Sequence, residues 1–211
     1  MYIPKAFKQD DLAHIVDLIQ KFPLATLIIS GAEGLEAMHV PMIFADSSNP
    51  IRLQGHIAKA NPLWQHVNLQ DQVLLVFNGP NGYVSPSYYP SKQQNPRVVP
   101  TWNYTAVHVK GTLSVIKDAD WNCELLQKLT HAHEAGRDDP WSISDAPQEY
   151  IQRMLTAIVG IEVVIDSMEA KWKLSQNQPE LNQRGVVDGL EADDNALLSK
   201  LVKEHALDKA K

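Results

Sequence analysis

The longest regular pattern in the chain runs from Val99 to Ile116, where β-branched and aromatic residues follow one another and proline stops after Pro100. Alternate side chains of a strand face opposite sides. Thr101, Asn103, Thr105, Val107, Val109, Gly111, Leu113 and Val115 therefore share one face, and Trp102, Tyr104, Ala106, His108, Lys110, Thr112, Ser114 and Ile116 the other. A strand of this length suits a barrel, in which strands tilt and bend. Trp102, Asn103 and Tyr104 set an indole, an amide and a phenol at its entrance. That chemistry suits a planar heterocycle with hydrogen-bonding edges. It equally suits two core aromatics around a turn asparagine.

The same patterning organises the first hundred residues. Asp10 or Asp11 caps a helix with an apolar stripe of Leu12, Ile15, Val16 and Ile19, stopped by Pro23. Leu24 to Ser30 and Leu35 to Phe44 read as a hairpin around a Gly31-Ala32-Glu33-Gly34 turn. Met38, Val40, Met42 and Phe44 share one face of the second strand, with His39 and Pro41 opposite. Pro41 implies a sheet edge or a bulge, and His39 beside it is either a ligand contact or a solvated strand histidine. Ile51 to Ala58 alternates again, and Asn61-Pro62 opens a short helix carrying Leu63, Trp64 and Val67. Free amides at that helix start, with His56, Lys59 and Asn61 nearby, form a phosphate seat. Gln72 to Asn78 is a buried-type strand, Gly79-Pro80-Asn81-Gly82 a turn, and Tyr83-Val84-Ser85 a resumed strand. The proline-punctuated loop from Pro86 to Pro100 carries Lys92 and Arg97, and its length points to a functional or partly mobile segment.

Beyond the long strand, Asp118 to about His133 reads as a helix with Trp121, Leu125 and Leu129 at four-residue spacing. His131 and His133 are two apart and share no helix face, so they do not form a metal-binding pair. Trp141 to Asp145 leads into a helix with Ile151, Met154, Leu155 and Ile158 on one side, followed by a strand from Val159 to Asp166. In a further strand over Ala170 to Asn177, Lys171, Lys173 and Ser175 point one way while Trp172 and Leu174 point into the core. Like charges on one strand face repel unless they meet solvent or an anionic, electron-rich ligand. From Asp193 a closing helix turns Leu197, Leu198, Leu201 and Val202 inward, with acids at its start and lysines toward its end. No repeat or linker divides the chain, so residues 1–211 are expected to form one domain closed by a helix from about 194.

Composition narrows the function. A 44% hydrophobic and 21% charged content over 211 residues fits a soluble globular domain. The start has no apolar run long enough for a signal peptide and no later segment approaches a membrane span, which points to a cytoplasmic protein. Cys123, the one cysteine, excludes an internal disulfide and a multi-cysteine zinc site, and reads as a small buried residue. The formal charge of −6 counts against strong DNA binding. No helix-turn-helix is legible either, because the closing helix follows acidic residues rather than a second helix with a glycine turn.

Five segments carry a resemblance: Met1 to Pro4, Gly55 to Trp64, Gly79-Pro80 through Tyr83 to Ser87, Val99 to Tyr104, and Lys171 to Asn177. In this collinear order, over about residues 1–190, the chain resembles the PaiB-type family of FMN-binding negative transcriptional regulators. The resemblance implies a mainly β fold with peripheral helices, the FMN-binding split β-barrel, and a homodimer with flavin at the subunit interface. On matching positions it implies His56, Ala58, Lys59 and Asn61 on the phosphate side, and Trp102, Asn103 and Tyr104 at the ring or ribityl chain. Lys171, Lys173, Ser175 and Gln176 would meet the ring edge, from the partner subunit in one arrangement. Four positions depart from the pattern: Lys59 stands where arginine is common, Asn81-Gly82 where histidine and alanine are usual, and Tyr88 where tryptophan is usual. A lysine keeps the charge but loses the bidentate fork. The resemblance implies a flavin-binding regulator, and the missing recognition helix and the charge of −6 point to an indirect action on DNA. The alternative is a small flavin-dependent oxidoreductase, since related barrels include flavin reductases and pyridoxamine phosphate oxidases. Haem-handling relatives come third, because no histidine here has the context of an axial ligand.

Overall fold

Eight strands carry these alternations into one mostly antiparallel sheet in the computed structural model, which describes residues 1–31, 34–66 and 72–208. The strands are β1 (Lys8–Gln9), β2 (Leu24–Gly31), β3 (Gly34–Pro41), β4 (Ile43–Phe44), β5 (Arg52–Ala58), β6 (Gln72–Val84), β7 (Thr101–Ile116) and β8 (Ile158–Lys173). Helices α1 (Leu12–Lys21), α2 (Leu63–His66), α3 (Ala119–Glu134), α4 (Gln148–Leu155), α5 (Glu180–Ala192) and α6 (Ala196–Val202) accompany them. Sheet order is β3-β2-β6-β7-β8-β5-β4, and β1 pairs with β8. The chain forms two compact units: the first is Met1–Leu18, Asn78–His108 and Glu169–Lys211, the second Ile19–Phe77 and Val109–Met168. No helix among the described residues is long and apolar enough to cross a membrane.

In the second unit β2 turns Ala25, Leu27 and Ile29 inward and pairs with β3 from Leu24↔Pro41 to Gly31↔Gly34. The expected hairpin turn at Ala32 and Glu33, and Val67 of the expected short helix, lie outside the described residues. β3 is a sheet edge, as Pro41 implied, and the strand breaks after it where the Met42 N–H bonds to the Pro23 carbonyl at 2.9 Å. β5 pairs with β8 from Arg52↔Val164 to Ala58↔Ile158. This register sets buried Gln54 opposite Glu162, whose carboxylate accepts from Gln54 Nε2 at 2.8 Å and lies 3.6 Å from Arg52. Asp118 caps α3 by accepting the Trp121 N–H at 2.8 Å, and Asn122, Leu125 and Leu129 are the buried side of that helix.

In the first unit Asp11 accepts the Ala13 N–H at 2.9 Å at the start of α1. Ile15 and Leu18 of that helix are buried, whereas Leu12 is exposed and lies off the expected stripe. Gly79-Pro80-Asn81-Gly82 is not a turn, because β6 runs unbroken through it. Glycine there serves close approach: a Cβ at Gly79 would overlap Thr105 Oγ1, and one at Gly82 would meet Asn195 at 2.6 Å. The two strands expected over Val159–Asp166 and Ala170–Asn177 are one, β8, ending at Lys173. Their separation in the sequence reflects Asp166 and Ser167, which are exposed, so the apolar alternation lapses while the backbone stays extended.

A helix absent from the sequence expectation, α5, precedes α6, so the two form a helix pair, and a π-helical turn over Lys203–Leu207 continues α6. Asp194 takes a left-handed conformation (φ 57°) between them, and Asn195 Oδ1 accepts the Leu198 N–H at 3.4 Å. Leu198 and Val202 of α6 are fully buried, but Leu197 is exposed, contrary to expectation. The Pro86–Pro100 loop contains two 3-10 turns and buries Tyr89. Tyr88 of that loop lies against Gly185 and Gly189 of α5 and donates a short hydrogen bond to Asp193. That bond, favouring the neutral phenol, pushes the Tyr88 pKa up to about 12.

Two outcomes follow for stability and titration. A Cβ at Gly111 would overlap the Val164 carbonyl oxygen, so Gly111→Ala should lower stability by about 1–3 kcal/mol in a denaturant titration. Gly136→Ala, where a Cβ meets nothing within 4 Å, should stay within about 0.5 kcal/mol of the parent. Asp193→Asn should bring the Tyr88 phenol down from about 12 toward its ordinary value, read as tyrosinate absorbance in an alkaline titration. Because folding raises this pKa, the bond's contribution is full below the unfolded value and is lost as pH climbs through about 12.

Candidate functional site

The polar end of β7 and the end of β8 build one cluster, in the first unit. The alternation of β7 sends Asn103 inward, where it is 1% exposed, and leaves Trp102 on the other face, 50% exposed. The alternative of two core aromatics around a turn asparagine is thereby inverted at two of its three residues. Asn103 Nδ2 donates to Ser175 Oγ at 2.9 Å. Ser175 is buried and has a left-handed backbone, φ 65°, a conformation that costs a non-glycine residue about 1–2 kcal/mol. Its carbonyl accepts from Gln183 Nε2 at 3.3 Å, so bonds from both sides hold the strained residue. Asn103 Oδ1 and, two residues on, Thr105 Oγ1 are buried with no hydrogen-bond partner among the described residues.

The opposite face is aromatic and cationic. The Trp102 indole donates to Asn81 Oδ1 at 3.3 Å and meets the Tyr83 ring edge-on, with 6.3 Å between centroids. Lys173 Nζ donates to the Trp102 carbonyl at 2.5 Å and to Thr101 Oγ1. Burial, and then the charge of Lys171, hold the Lys173 ammonium below the ordinary lysine range. Lys171 is 8% exposed, so solvent does not relieve the repulsion. Its Nζ instead donates to the Tyr2 carbonyl at 3.4 Å and lies 5.2 Å from the centroid of the Tyr104 ring. Gln176 uses both ends of its amide locally, accepting from Leu174 N–H at 2.8 Å and donating to the Trp172 carbonyl at 2.6 Å. It braces the strand end on which Ser175 sits.

The second unit holds His56, Ala58, Lys59 and Asn61. His56 lies opposite Gly160 in the β5/β8 ladder, and its Nδ1 is buried without a partner among the described residues. Desolvation lowers its pKa, which favours the neutral imidazole. The backbone amides offered as a phosphate seat are engaged: Lys59 N–H bonds to the Ala157 carbonyl at 2.8 Å and Asn61 N–H to the Ala58 carbonyl at 2.9 Å. Asn61 Oδ1 accepts the Leu63 N–H at 3.0 Å, and the α2 it caps is a single turn. Lys59 rims a cavity of about 240 Å³ with Trp64, Lys117, Ala119, Asn122 and Gln152, over a floor that includes Leu155 and Val159. His56 and Asn61 are not among its lining residues. Lys117 escaped the sequence reading, although a cation directly before the Asp118 cap of a long helix was a legible signal.

The donor and acceptor sets suit a phosphorylated, planar, redox-active heterocycle. FMN brings carbonyl acceptors and an N–H donor at its ring edge. Lys173 and the partnerless Asn103 Oδ1 in the first unit match these in kind, and Lys59 in the second matches a phosphate.

Residues 1–167 match the family described as "Putative FMN-binding domain". The chain is 32% identical over 195 residues to the "Protease synthase and sporulation protein PAI 2" of Bacillus subtilis (strain 168), covering 92% of this chain and 91% of that protein. Among solved structures it is similar to an FAD and haem binding protein from Mycobacterium smegmatis, with TM-score 0.58 and 17% identity over 79% of this chain and 73% of the other. A flavocytochrome from Azotobacter vinelandii gives TM-score 0.57 and 14% identity, over 81% and 72% of the respective chains. At those identities the likeness is one of fold. Strand content, sheet order and sequence agree: the chain belongs to the FMN-binding domain family, with the split β-barrel fold and FMN as cofactor.

Proposed function

We propose that this protein is a PaiB-type flavin-dependent regulator, a sensor or repressor working as a homodimer with FMN at the subunit interface. The observation that carries the reading is the first-unit cluster, where a half-exposed indole, a buried amide oxygen without a partner and two lysines converge at adjoining strand ends. Trp102, Asn103 and Tyr104 then serve the ring or ribityl chain, and Lys171, Lys173, Ser175 and Gln176 the ring edge, directly or by bracing it. His56, Ala58, Lys59 and Asn61 serve the phosphate side. Residues 1–211 act as one domain in this reading, supported by β6, β7 and β8 each contributing residues to both units. The name of the Bacillus relative supports a regulatory role.

Regulation through DNA is indirect. Asp193 and Asp194 form the turn between α5 and α6. Acid at that corner repels a phosphate backbone.

Bound FMN supplies electron-transfer chemistry, and the protein needs only to hold and orient it. A flavin-dependent oxidoreductase is the second reading, favoured by the exposure of Trp102, which leaves this cluster open to a reductant. Absorbance spectra after FMN loading and anaerobic NAD(P)H addition separate the two. Bound flavin without turnover is expected of the regulator, and bleaching with continued turnover would replace it by the oxidoreductase.

The cluster meets within one chain, which predicts the absence of complementation. Trp102→Ala/Asn103→Ala and Lys171→Ala/Lys173→Ala homodimers should both bind FMN poorly. In their heterodimer each site carries one lesion, so binding should stay poor. Recovery of about half the sites would instead assign the two groups to different subunits of a shared site.

A further inference from the structure

The second-unit cavity holds a residue that neither the fold nor the family reading assigns. Resting on the phosphate-side role of Lys59, we propose that Lys117 is the second cation of that seat and that the cavity the two lysines rim is a site for a phosphate monoester, the phosphate end of FMN. Both lysines line the cavity, and no aspartate or glutamate is among the described residues that line it. Two ammonium groups on one small cavity raise its potential and favour an anion.

The two are tied together by one side chain. Trp64 donates its indole N–H to the Lys59 carbonyl at 2.8 Å, and its ring lies under Lys117, whose Nζ is 4.7 Å from the centroid. The indole therefore pre-positions Lys117 through a cation–π contact while being fixed to the backbone of Lys59. Ala119, which also lines the cavity, is the first residue of the 16-residue helix α3. The carboxylates of Asp118, its cap, and of Asp120, in its first turn, offset the positive end of that helix, so the attraction for an anion rests on the two lysines. A volume of about 240 Å³ falls below the roughly 300 Å³ at which pockets begin to enclose drug-sized ligands. It admits a phosphate and the carbons next to it. One lysine is a point charge, whereas two can bracket a tetrahedral anion.

The test uses the full-length protein and three ligands: FMN, riboflavin and inorganic phosphate. Lys117→Met keeps the aliphatic stem against Trp64 and removes only the charge, at an exposed position where folding is little affected. Its FMN affinity should fall about 10- to 100-fold, as for loss of one charge-assisted bond, with riboflavin affinity unchanged. Lys59→Met should behave alike, and Lys117→Arg should retain FMN. Unchanged FMN binding by Lys117→Met alongside weakened binding by Lys59→Met would overturn the proposal while leaving the Lys59 assignment intact. Failure of the flavin reading itself looks different: the parent protein would hold FMN no more tightly than riboflavin, whichever lysine is replaced. In that event the phosphate titration decides, at constant ionic strength. A rise in melting temperature that Lys117→Met abolishes would keep the seat for a free phosphate monoester, and no rise would end it.

Discussion

The period-two alternation of β7 is the constraint on which the first-unit site depends. Successive residues of a strand face opposite sides, so neighbours are divided between the core side and the outer face. Val107, Val109 and Leu113 seal the core on one side, and on that same side Asn103 and Thr105 bring polar atoms into buried surroundings. The cost of burying them is offset only in part, by the bond from Asn103 to Ser175. Ser175 in turn persists in a left-handed conformation because Asn103 and Gln183 both hold it. On the outer face the same constraint leaves the Trp102 indole half exposed, with only the ring edge of Tyr83 and the amide of Asn81 against it.

Electrostatics gives the two units a common character. In the first, Lys171 and Lys173 sit two apart on β8, and each ammonium finds a carbonyl and, for Lys171, an aromatic face rather than a carboxylate. Carbonyls and π-systems orient a cation without neutralising it, so its charge stays available to an incoming anion or electron-rich ring edge. Lys117 over Trp64 repeats the device in the second unit. Glu162 shows the contrast: it is enclosed by Arg52 and Gln54, a charge spent on holding β5 to β8.

The closing helices place acid where a nucleic-acid reader would place base. Asp193 accepts from Tyr88, which ties the proline-rich loop to the corner of the helix pair, and Asn195 bonds to the Asn81 carbonyl on β6. These contacts spend the corner on holding the first unit together. The pair therefore resembles a buttress more than a recognition module.

Periodicity alone made the long strand, the β2/β3 hairpin strands, the edge position of Pro41 and helix α3 legible, because each depends on side chains recurring along one stretch of backbone. The collinear segments from Met1 to Asn177 likewise carried the family and its cofactor. Sequence misjudged Gly79 to Gly82, where glycine reads as a turn but permits the approach of Thr105 and Asn195 from elsewhere in the chain. It also split β8 at Asp166 and Ser167 and missed α5, whose Gly185 and Gly189 lower helix propensity but admit Tyr88. Only tertiary structure placed Asn103 against Ser175, buried Lys171, and set Lys117 on the same cavity as Lys59. Local pattern determines which elements form, because helix and strand repeats are properties of neighbouring residues. Which atoms meet is decided by strands and loops distant in sequence, and no periodicity records that distance.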